Sequence, residues 1–272
     1  MHNRISVHSI CFRDAGFGTL ASHWRSLGIQ RVSLYSGLIE KEGLAAAQAA
    51  LATGPYHVET VTHTFLPFGQ QIDAEDISWD RAQEHLNQVI ADAATLGARS
   101  IELFTGGLGS LTWEDAAKRF GMALAPCLAR SKAAGVALVA ENTGSRYAGL
   151  HIANNLRDTA TLAELTGVGI CIDVYPCWSE AGLKETIERA IPRTSLIQIG
   201  DYVFGDGMSP GRAVPGDGTI PLKQILEWIL RAGYQGTFEI EILGPLIDKE
   251  GHLQATRRAV AYVADTLRAL GA

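Results

Sequence analysis

The chain has 272 residues, of which 47% are hydrophobic, and this content suits one large α/β domain or two small ones; we assign residues 1–272 to a single domain. Its formal net charge of -6 disfavours a nucleic-acid partner, because proteins that bind phosphate backbones are usually basic. With no secretory signal, no bilayer-length apolar run and four cysteines without C-x-x-C spacing, the sequence predicts a cytoplasmic protein with no membrane partner.

Eight short apolar runs rich in β-forming residues recur along the chain, and each predicts a strand. They cover residues 5–12, 31–36, 57–65, 100–105, 137–142, 167–174, 195–203 and 237–243. Four longer amphipathic segments predict helices over residues 78–97, 111–135, 219–234 and 251–271. Ser78 and Thr112 stand where helix N-caps are expected.

The alternation of strands with helices predicts parallel strand pairing with right-handed crossovers. Eight such units in this length match a (β/α)₈ TIM barrel. A doubly wound open sheet is the main rival fold. It usually has a G-x-G-x-x-G turn after the first strand, and the chain has CFRDAGFGTL there instead. The sequence therefore favours the barrel.

Four consecutive late strands each place a carboxylate or an amide on the face predicted to point into the barrel. These residues are Glu141, Asp173, Gln198 and Glu241, each close to the end of its own strand. Three buried carboxylates repel one another unless they take up protons or bind a cation. Because all four side chains offer oxygen, the set predicts one divalent ion, Mn²⁺ or Mg²⁺.

Each of these residues also has a simpler interpretation. A single acid at a strand end is more often a helix cap or a solvated loop residue, and Gln198 could bond a neighbouring backbone group. The coincidence of four suitable residues on four consecutive strands favours the metal site.

At these strands the chain resembles the xylose isomerase-like sugar phosphate isomerase/epimerase superfamily. The segments that carry the resemblance are ALVAENTGS, VGICIDVYP, LIQIGDY and AGYQGTFEIEILGP. The resemblance places the ligands of one divalent ion on Glu141, Asp173, Gln198 and Glu241. Two positions depart from the family pattern: Pro176 stands where a histidine is common, and so does Gln198. The glutamine resembles the 3-dehydroshikimate dehydratase branch, and the missing histidines count against a nuclease.

The resemblance implies a sugar or keto-sugar isomerase or epimerase that transfers a proton next to a carbonyl through a metal-stabilised enediolate, with Glu141 and Glu241 on opposite sides of the substrate. The partner is then a small carbohydrate or keto acid. Two alternatives stay open, a lyase of the dehydratase type and a non-catalytic barrel that binds a metal or a sugar. Barrels of this family often form dimers or tetramers, so a homo-oligomer is also left open.

Two histidines are further catalytic candidates. His8 and His63 are predicted near the same barrel mouth, where an imidazole suits acid–base chemistry or hydroxyl binding, although a structural role is equally compatible with each. Glu102 falls one residue out of phase with the expected strand-end position, and no role is assigned to it.

The long segment 204–221, rich in glycine and proline, predicts a lid or a substrate wall. Arg212 in this segment is a candidate for contact with substrate oxygens, and the alternative is an ordinary surface ion pair. Tyr202 and Trp178 are candidates for stacking on a sugar ring, although aromatic side chains more often serve packing.

Overall fold

The computed structural model describes residues 2–204 and 211–272. In these residues eight parallel strands close into a barrel, in the order β1, β10, β7, β6, β5, β4, β3, β2, and at least one helix follows each of them in the chain. The strands are β1 (Ile5–His8), β2 (Arg31–Tyr35), β3 (His57–Thr64), β4 (Ser100–Phe104), β5 (Ala137–Glu141), β6 (Gly169–Asp173), β7 (Thr194–Ile199), β8 (Asp201–Tyr202), β9 (Arg212–Ala213) and β10 (Thr237–Ile240). The short strands β8 and β9 form a separate antiparallel ribbon. The predicted TIM barrel is confirmed.

The helices pack around the outside of the barrel. They are α1 (Phe17–Leu27), α2 (Ser36–Glu42), α3 (Leu44–Leu51), α4 (Trp79–Thr95), α5 (Trp113–Ala133), α6 (Leu156–Thr166), α7 (Val174–Cys177), α8 (Leu183–Ala190), α9 (Leu222–Arg231), α10 (Pro245–Glu250) and α11 (His252–Ala269). Short 3₁₀ turns span Ser9–Phe12, Ser145–Tyr147 and Ile191–Arg193. Over the described residues, no helix combines the length and the apolar character needed to cross a membrane.

The N-caps predicted for α4 and α5 are confirmed. The Ser78 hydroxyl accepts a hydrogen bond from the backbone N–H of Arg81, and the Thr112 hydroxyl accepts one from Asp115. The first strand is shorter than predicted. It ends at His8, whose Nδ1 accepts the backbone N–H of Ile10 and so begins a 3₁₀ turn.

The main apolar core fills the space between the barrel and its helices, whereas the barrel interior is largely polar. A small apolar cluster of Val139, Cys171 and Leu196 stands apart from that core. Glu102 and Glu239 are at most 1% exposed although both are acids. Because burying an unpaired charge costs free energy, these buried acids indicate a binding site in the barrel interior.

A bulge in β3 turns His63 away from the barrel interior. The pairing advances by two positions in β2, from Val32 to Leu34, and by three positions in β3, from Val58 to Val61. The extra residue reverses which side chains face inward beyond it, because the pleat has a period of two. Thr62 therefore points into the barrel, and His63 points outward toward α2 and α4. The predicted position of His63 at the barrel mouth is wrong.

Candidate active site

The four predicted metal ligands meet at the C-terminal ends of their strands. Glu141 and Asp173 are the last residues of β5 and β6, Gln198 is the penultimate residue of β7, and Glu241 directly follows β10. All four are buried. Glu141 and Glu241 line a cavity of about 610 Å³ that also contacts Arg212, whereas Asp173 and Gln198 are buried more deeply.

Arg212 lies between two of the predicted ligands. Its Nη1 and Nη2 donate to the two carboxylate oxygens of Asp173 at 3.1 and 2.5 Å, and Nη2 also donates to Oε1 of Glu241 at 3.1 Å. Although burial disfavours the charged guanidinium, the carboxylates of Asp173 and Glu241 raise the pKa of Arg212. The ion pair of Arg212 is therefore buried, unlike the surface pair that was the alternative for this residue, and Arg212 borders the cavity.

Gln198 has one half of its amide satisfied and the other half without a partner. Its Nε2 donates to Oε2 of Glu102 at 2.8 Å and to Oε2 of Glu239 at 3.3 Å. Its Oε1 is buried and has no hydrogen-bond partner among residues 2–204 and 211–272. A buried carbonyl oxygen left unpaired costs about 1–3 kcal/mol, so this atom is suited to bind a cation.

Glu102 and Glu141 form a hydrogen-bonded pair of acids at the centre of the site, and such a bond requires one shared proton. Burial, followed by the charge of Glu241, raises the pKa of Glu102 to about 8. Burial and the nearby charges of Glu102 and Glu241 raise the pKa of Glu141 well above its usual value. Burial also raises the pKa of Asp173 to about 6, against the pull of Arg212.

The charge balance of this site fits a divalent ion. Five carboxyl groups are buried here, and among the described residues the buried guanidinium that pairs with them is that of Arg212; the acids are Glu102, Glu141, Asp173, Glu239 and Glu241. Oxygen donors in this number suit Mg²⁺ or Mn²⁺, and the unpaired Oε1 of Gln198 completes the set. Among the described residues, no three of these acids have ligand atoms that all lie within 4.8 Å of one another. Arg212 bonds both carboxylate oxygens of Asp173, so an ion bound by Asp173 would compete with Arg212 for them.

The raised carboxyl pKa values make the metal-free protein less stable at higher pH. An acid whose pKa is higher when folded contributes its full stability below its unfolded pKa, about 4.3, and loses it as the pH rises through the folded value. Buried histidines such as His8 change stability only below their ordinary pKa of 6.5. We expect the free energy of unfolding, measured with urea and a chelator, to fall between about pH 6.5 and 8.

The substitution Glu102→Gln tests the origin of that slope. Glutamine keeps an oxygen that can accept the hydrogen bond from Gln198, but it has no carboxyl proton to lose. The free energy of unfolding of the variant should therefore be higher than that of the parent at pH 8, and it should change less with pH. The exposed Glu185→Gln variant is the control and should reproduce the parent profile. An unchanged slope in the Glu102→Gln variant would show that this carboxyl does not cause the effect.

Two residues hold the metal-ligand candidates in place through the backbone. The side chain of Asn142 donates to the carbonyl of Asp173 at 2.8 Å and accepts its N–H at 3.0 Å, which ties the ends of β5 and β6 together. His151 accepts the N–H of Thr105 through Nδ1, so its Nε2 donates to the carbonyl of Glu141 at 2.8 Å. Sequence reasoning missed both, because their partners lie 31 and 10 residues away.

His8 keeps its predicted place near the carboxylates, but both of its ring nitrogens are engaged. Since Nδ1 accepts the N–H of Ile10, Nε2 carries the proton and donates to the Thr62 hydroxyl at 2.8 Å, which in turn donates to Glu102. Burial, followed by the charge of Arg212, lowers the pKa of His8 to about 3. These bonds favour a positioning role for His8, and proton transfer by it stays a prediction.

Asp201 organises the loop that carries Arg212. Its carboxylate accepts backbone N–H groups from four residues, Tyr202, Gly216, Gly218 and Ile220. The fit around it is close, because a Cβ added at Gly218 would lie 2.2 Å from Oδ1 of Asp201. The sequence gives no sign of this role of Asp201, because the four N–H groups converge only in the folded chain.

We expect Asp201→Asn to loosen this loop. The neutral amide replaces charge-assisted hydrogen bonds worth about 1.5–3 kcal/mol each, so the free energy of unfolding should fall by about 2–4 kcal/mol. Limited proteolysis should then cleave the loop faster than in the parent. Asp217→Asn is the matched control, because Asp217 lies in the same loop but pairs with Arg258 at the surface. Equal proteolysis rates in the two variants would contradict this role of Asp201.

Aromatic side chains form one wall of the cavity, as predicted for Trp178 and Tyr202. Their ring centroids lie 6.3 Å apart, and Tyr175 lies 6.4 Å from Tyr202. The guanidinium carbon of Arg212 lies 4.7 Å from the centroid of the Tyr175 ring. The wall thus offers flat apolar surface beside hydrogen-bonding groups, the combination that suits a sugar ring. Residues 205–210 of the predicted lid lie outside the described residues.

A family model described as xylose isomerase-like TIM barrel matches residues 13–265. The chain belongs to this family. A search of curated proteins found no match. The resemblance stated from the sequence motifs is therefore confirmed at the level of the family.

Solved structures with the same fold include a protein of Sinorhizobium meliloti, SMc04130, with 25% sequence identity and a TM-score of 0.81 over 98% of each chain. An L-ribulose 3-epimerase shares 19% identity with a TM-score of 0.76, covering 99% of this chain and 96% of the other. The probable 3-DHS dehydratase AsbF of Bacillus anthracis shares 13% identity with a TM-score of 0.74, covering 95% and 98%. The latter two show similarity of fold alone.

Proposed function

We propose that this xylose isomerase-like barrel is a divalent-metal-dependent isomerase or epimerase of a small sugar or keto-sugar. The observation that carries the proposal is the placement of Glu141 and Glu241, two buried acids that both line the cavity beside the aromatic wall. Membership of the family and the fold shared with an epimerase support it. The chemistry needs a base and an acid on a closed site, and these two residues supply both.

Glu141, Asp173, Gln198 and Glu241 would hold the ion, and the unpaired Oε1 of Gln198 is the contact that most needs one. When bound, Mn²⁺ or Mg²⁺ supplies Lewis acidity toward a carbonyl oxygen and a neighbouring hydroxyl oxygen.

The protein's own residues would divide the remaining work. One of Glu141 and Glu241 removes the proton from the carbon next to the carbonyl, and the other returns a proton. Return to the opposite face of the same carbon gives an epimer, and return to the neighbouring carbon gives an isomer. Arg212 has a planar fork suited to substrate oxygens, and Trp178 and Tyr202 provide faces for the sugar ring.

A dehydratase of the 3-dehydroshikimate type is the second candidate. Its first step removes the same kind of proton, and loss of a β-hydroxyl then replaces the return of the proton. The glutamine at position 198 and the fold shared with AsbF favour it. A non-catalytic barrel that binds a sugar or a metal remains the outcome if no substrate turns over.

The test follows the step that all the enzymatic candidates share. A panel of ketoses and 3-dehydroshikimate is incubated in D₂O with the protein and Mn²⁺, Mg²⁺ or EDTA, and NMR records both product formation and deuterium at the carbon next to the carbonyl. We expect exchange and product with one substrate class, and neither in EDTA. An epimer or isomer supports the main proposal and an unsaturated acid supports the dehydratase. Turnover that persists in EDTA would contradict metal dependence.

A further inference from the structure

A second group of metal-ligating side chains lies on the outside of the barrel, between α2, β3 and α4. One ring nitrogen from each of His63 and His85 and one carboxylate oxygen of Glu40 all lie within 4.8 Å of one another. Among the residues that the structure describes, no other three histidine, cysteine or acidic side chains have ligand atoms this close together. It is separate from the cavity at the barrel mouth, whose lining includes none of these residues.

His63 has a nitrogen that lacks a partner. Its side chain is 1% exposed, and its Nδ1 lies 3.0 Å from the Ser36 hydroxyl, while its Nε2 is buried with no hydrogen-bond partner in the described chain. A buried polar atom without a partner costs about 1–3 kcal/mol. Because Ser36 is bonded to Nδ1, Nε2 is the nitrogen left for an ion. Such a bond from the second nitrogen to a neighbour is the usual way in which proteins orient a metal-binding histidine.

His85 and Glu40 complete the group from the solvent side. Nε2 of His85 lies 2.7 Å from Oε1 of Glu40, and the rings of His63 and His85 are perpendicular with centroids 4.7 Å apart. The side chains of His85 and Glu40 are each 49% exposed, so one side of the group is open. His85 also lines a cleft of about 660 Å³ with Phe65 and Arg81, through which solvent reaches the group.

We propose that Glu40, His63 and His85 bind Zn²⁺, with a water molecule in the fourth position. Two imidazoles and one carboxylate are a ligand set that zinc favours, whereas the oxygen-only set at the barrel mouth suits harder ions. Zinc bonds of about 2.0–2.2 Å place ligand atoms about 3.3 Å apart, so the contact between Glu40 and His85 opens by less than about 1 Å. The ion replaces their hydrogen bond and gives Nε2 of His63 its missing partner.

The proposed ion would join two consecutive β/α units of the barrel. Glu40 lies in α2, His63 in β3 and His85 in α4, so the three ligands are 23 and 22 residues apart in the chain. A ligand that binds the folded chain and not the unfolded one stabilises the fold in proportion to its occupancy. Zinc should therefore raise the unfolding temperature without being needed for the chemistry at the barrel mouth.

Cobalt tests the site, because Co²⁺ in a four-coordinate nitrogen and oxygen site absorbs visible light. The metal-free full-length protein is titrated with Co²⁺, in parallel with His85→Ala and Glu84→Gln. Both substitutions are at exposed positions of α4, and only His85 belongs to the group. We expect the parent and Glu84→Gln to bind one more equivalent of Co²⁺ than His85→Ala, with an absorption band that Zn²⁺ abolishes and His85→Ala lacks.

Thermal unfolding provides the second readout. Zn²⁺ should raise the midpoint of the parent and of Glu84→Gln by several degrees more than that of His85→Ala. The same stoichiometry, spectrum and midpoint shift in the parent and in His85→Ala would overturn the proposal. The barrel-mouth site stays intact in all three proteins, so failure of this test leaves the proposed function untouched.

Discussion

Replacing Glu141 with glutamine is expected to lower kcat by about 10²–10⁴-fold, the range that a positioned acid or base contributes. Glutamine has nearly the same shape and can still bond Glu102, so the fold should persist. It cannot accept or return a proton, and it removes one negative ligand oxygen from the metal set. The measurement is turnover of the substrate found in the panel, with saturating Mn²⁺ and with circular dichroism to verify folding.

The matched control is Glu185→Gln, which makes the same chemical change at an exposed position of α8. It should keep the activity of the parent. A Glu141→Gln variant with more than about half of the parental kcat would exclude Glu141 from proton transfer.

Replacing Arg212 with glutamine is expected to change ion affinity and activity in opposite directions. The guanidinium occupies both carboxylate oxygens of Asp173 and one of Glu241, so its removal frees these ligand atoms and removes a positive charge. Affinity for Mn²⁺ should rise at least about tenfold, since a unit charge at close range is worth more than about 1.4 kcal/mol. Turnover should fall by about 10²-fold, because the substrate loses a group that orients it.

Calorimetry with the parent and with Arg212→Gln measures the affinity change, and Arg258→Gln is the control for loss of a cation at the surface. Without an ion, the Arg212→Gln protein should lose about 3 kcal/mol of stability, because two buried acids lose their partner. Mn²⁺ should restore that stability. Weaker Mn²⁺ binding by this variant would show that Arg212 assists the ion and does not compete with it.

The alternation of strands with helices was enough to predict the barrel, and the alternation of side chains along its late strands was enough to predict four residues of its polar centre. In β5, β6, β7 and the end of β10 the pleat is regular near the mouth, so Glu141, Asp173, Gln198 and Glu241 converge as the period of two requires. Each of these positions depends on one strand and its direction, which the sequence pattern specifies.

The remaining features depend on relations that the pattern does not encode. The bulge between Val58 and Val61 turns His63 outward. The pattern of apolar and polar residues does not show where one extra residue reverses the inward and outward faces of a strand. Arg212 pairs with Asp173 across 39 residues, and Asp201 binds the backbone of Gly216 and Gly218, just after Arg212. Glu102 could have been found by extending strict alternation from Ser100, which also faces inward at the register of Thr60.

Anomalous diffraction from crystals grown with Mn²⁺ would show whether these four side chains bind the ion. We expect one strong peak at about 2.0–2.3 Å from carboxylate oxygens of Glu141, Asp173 and Glu241 and from Oε1 of Gln198, with Arg212 moved off Asp173. A crystal that shows Arg212 still paired with Asp173, and no peak among these four side chains at millimolar Mn²⁺, would contradict it.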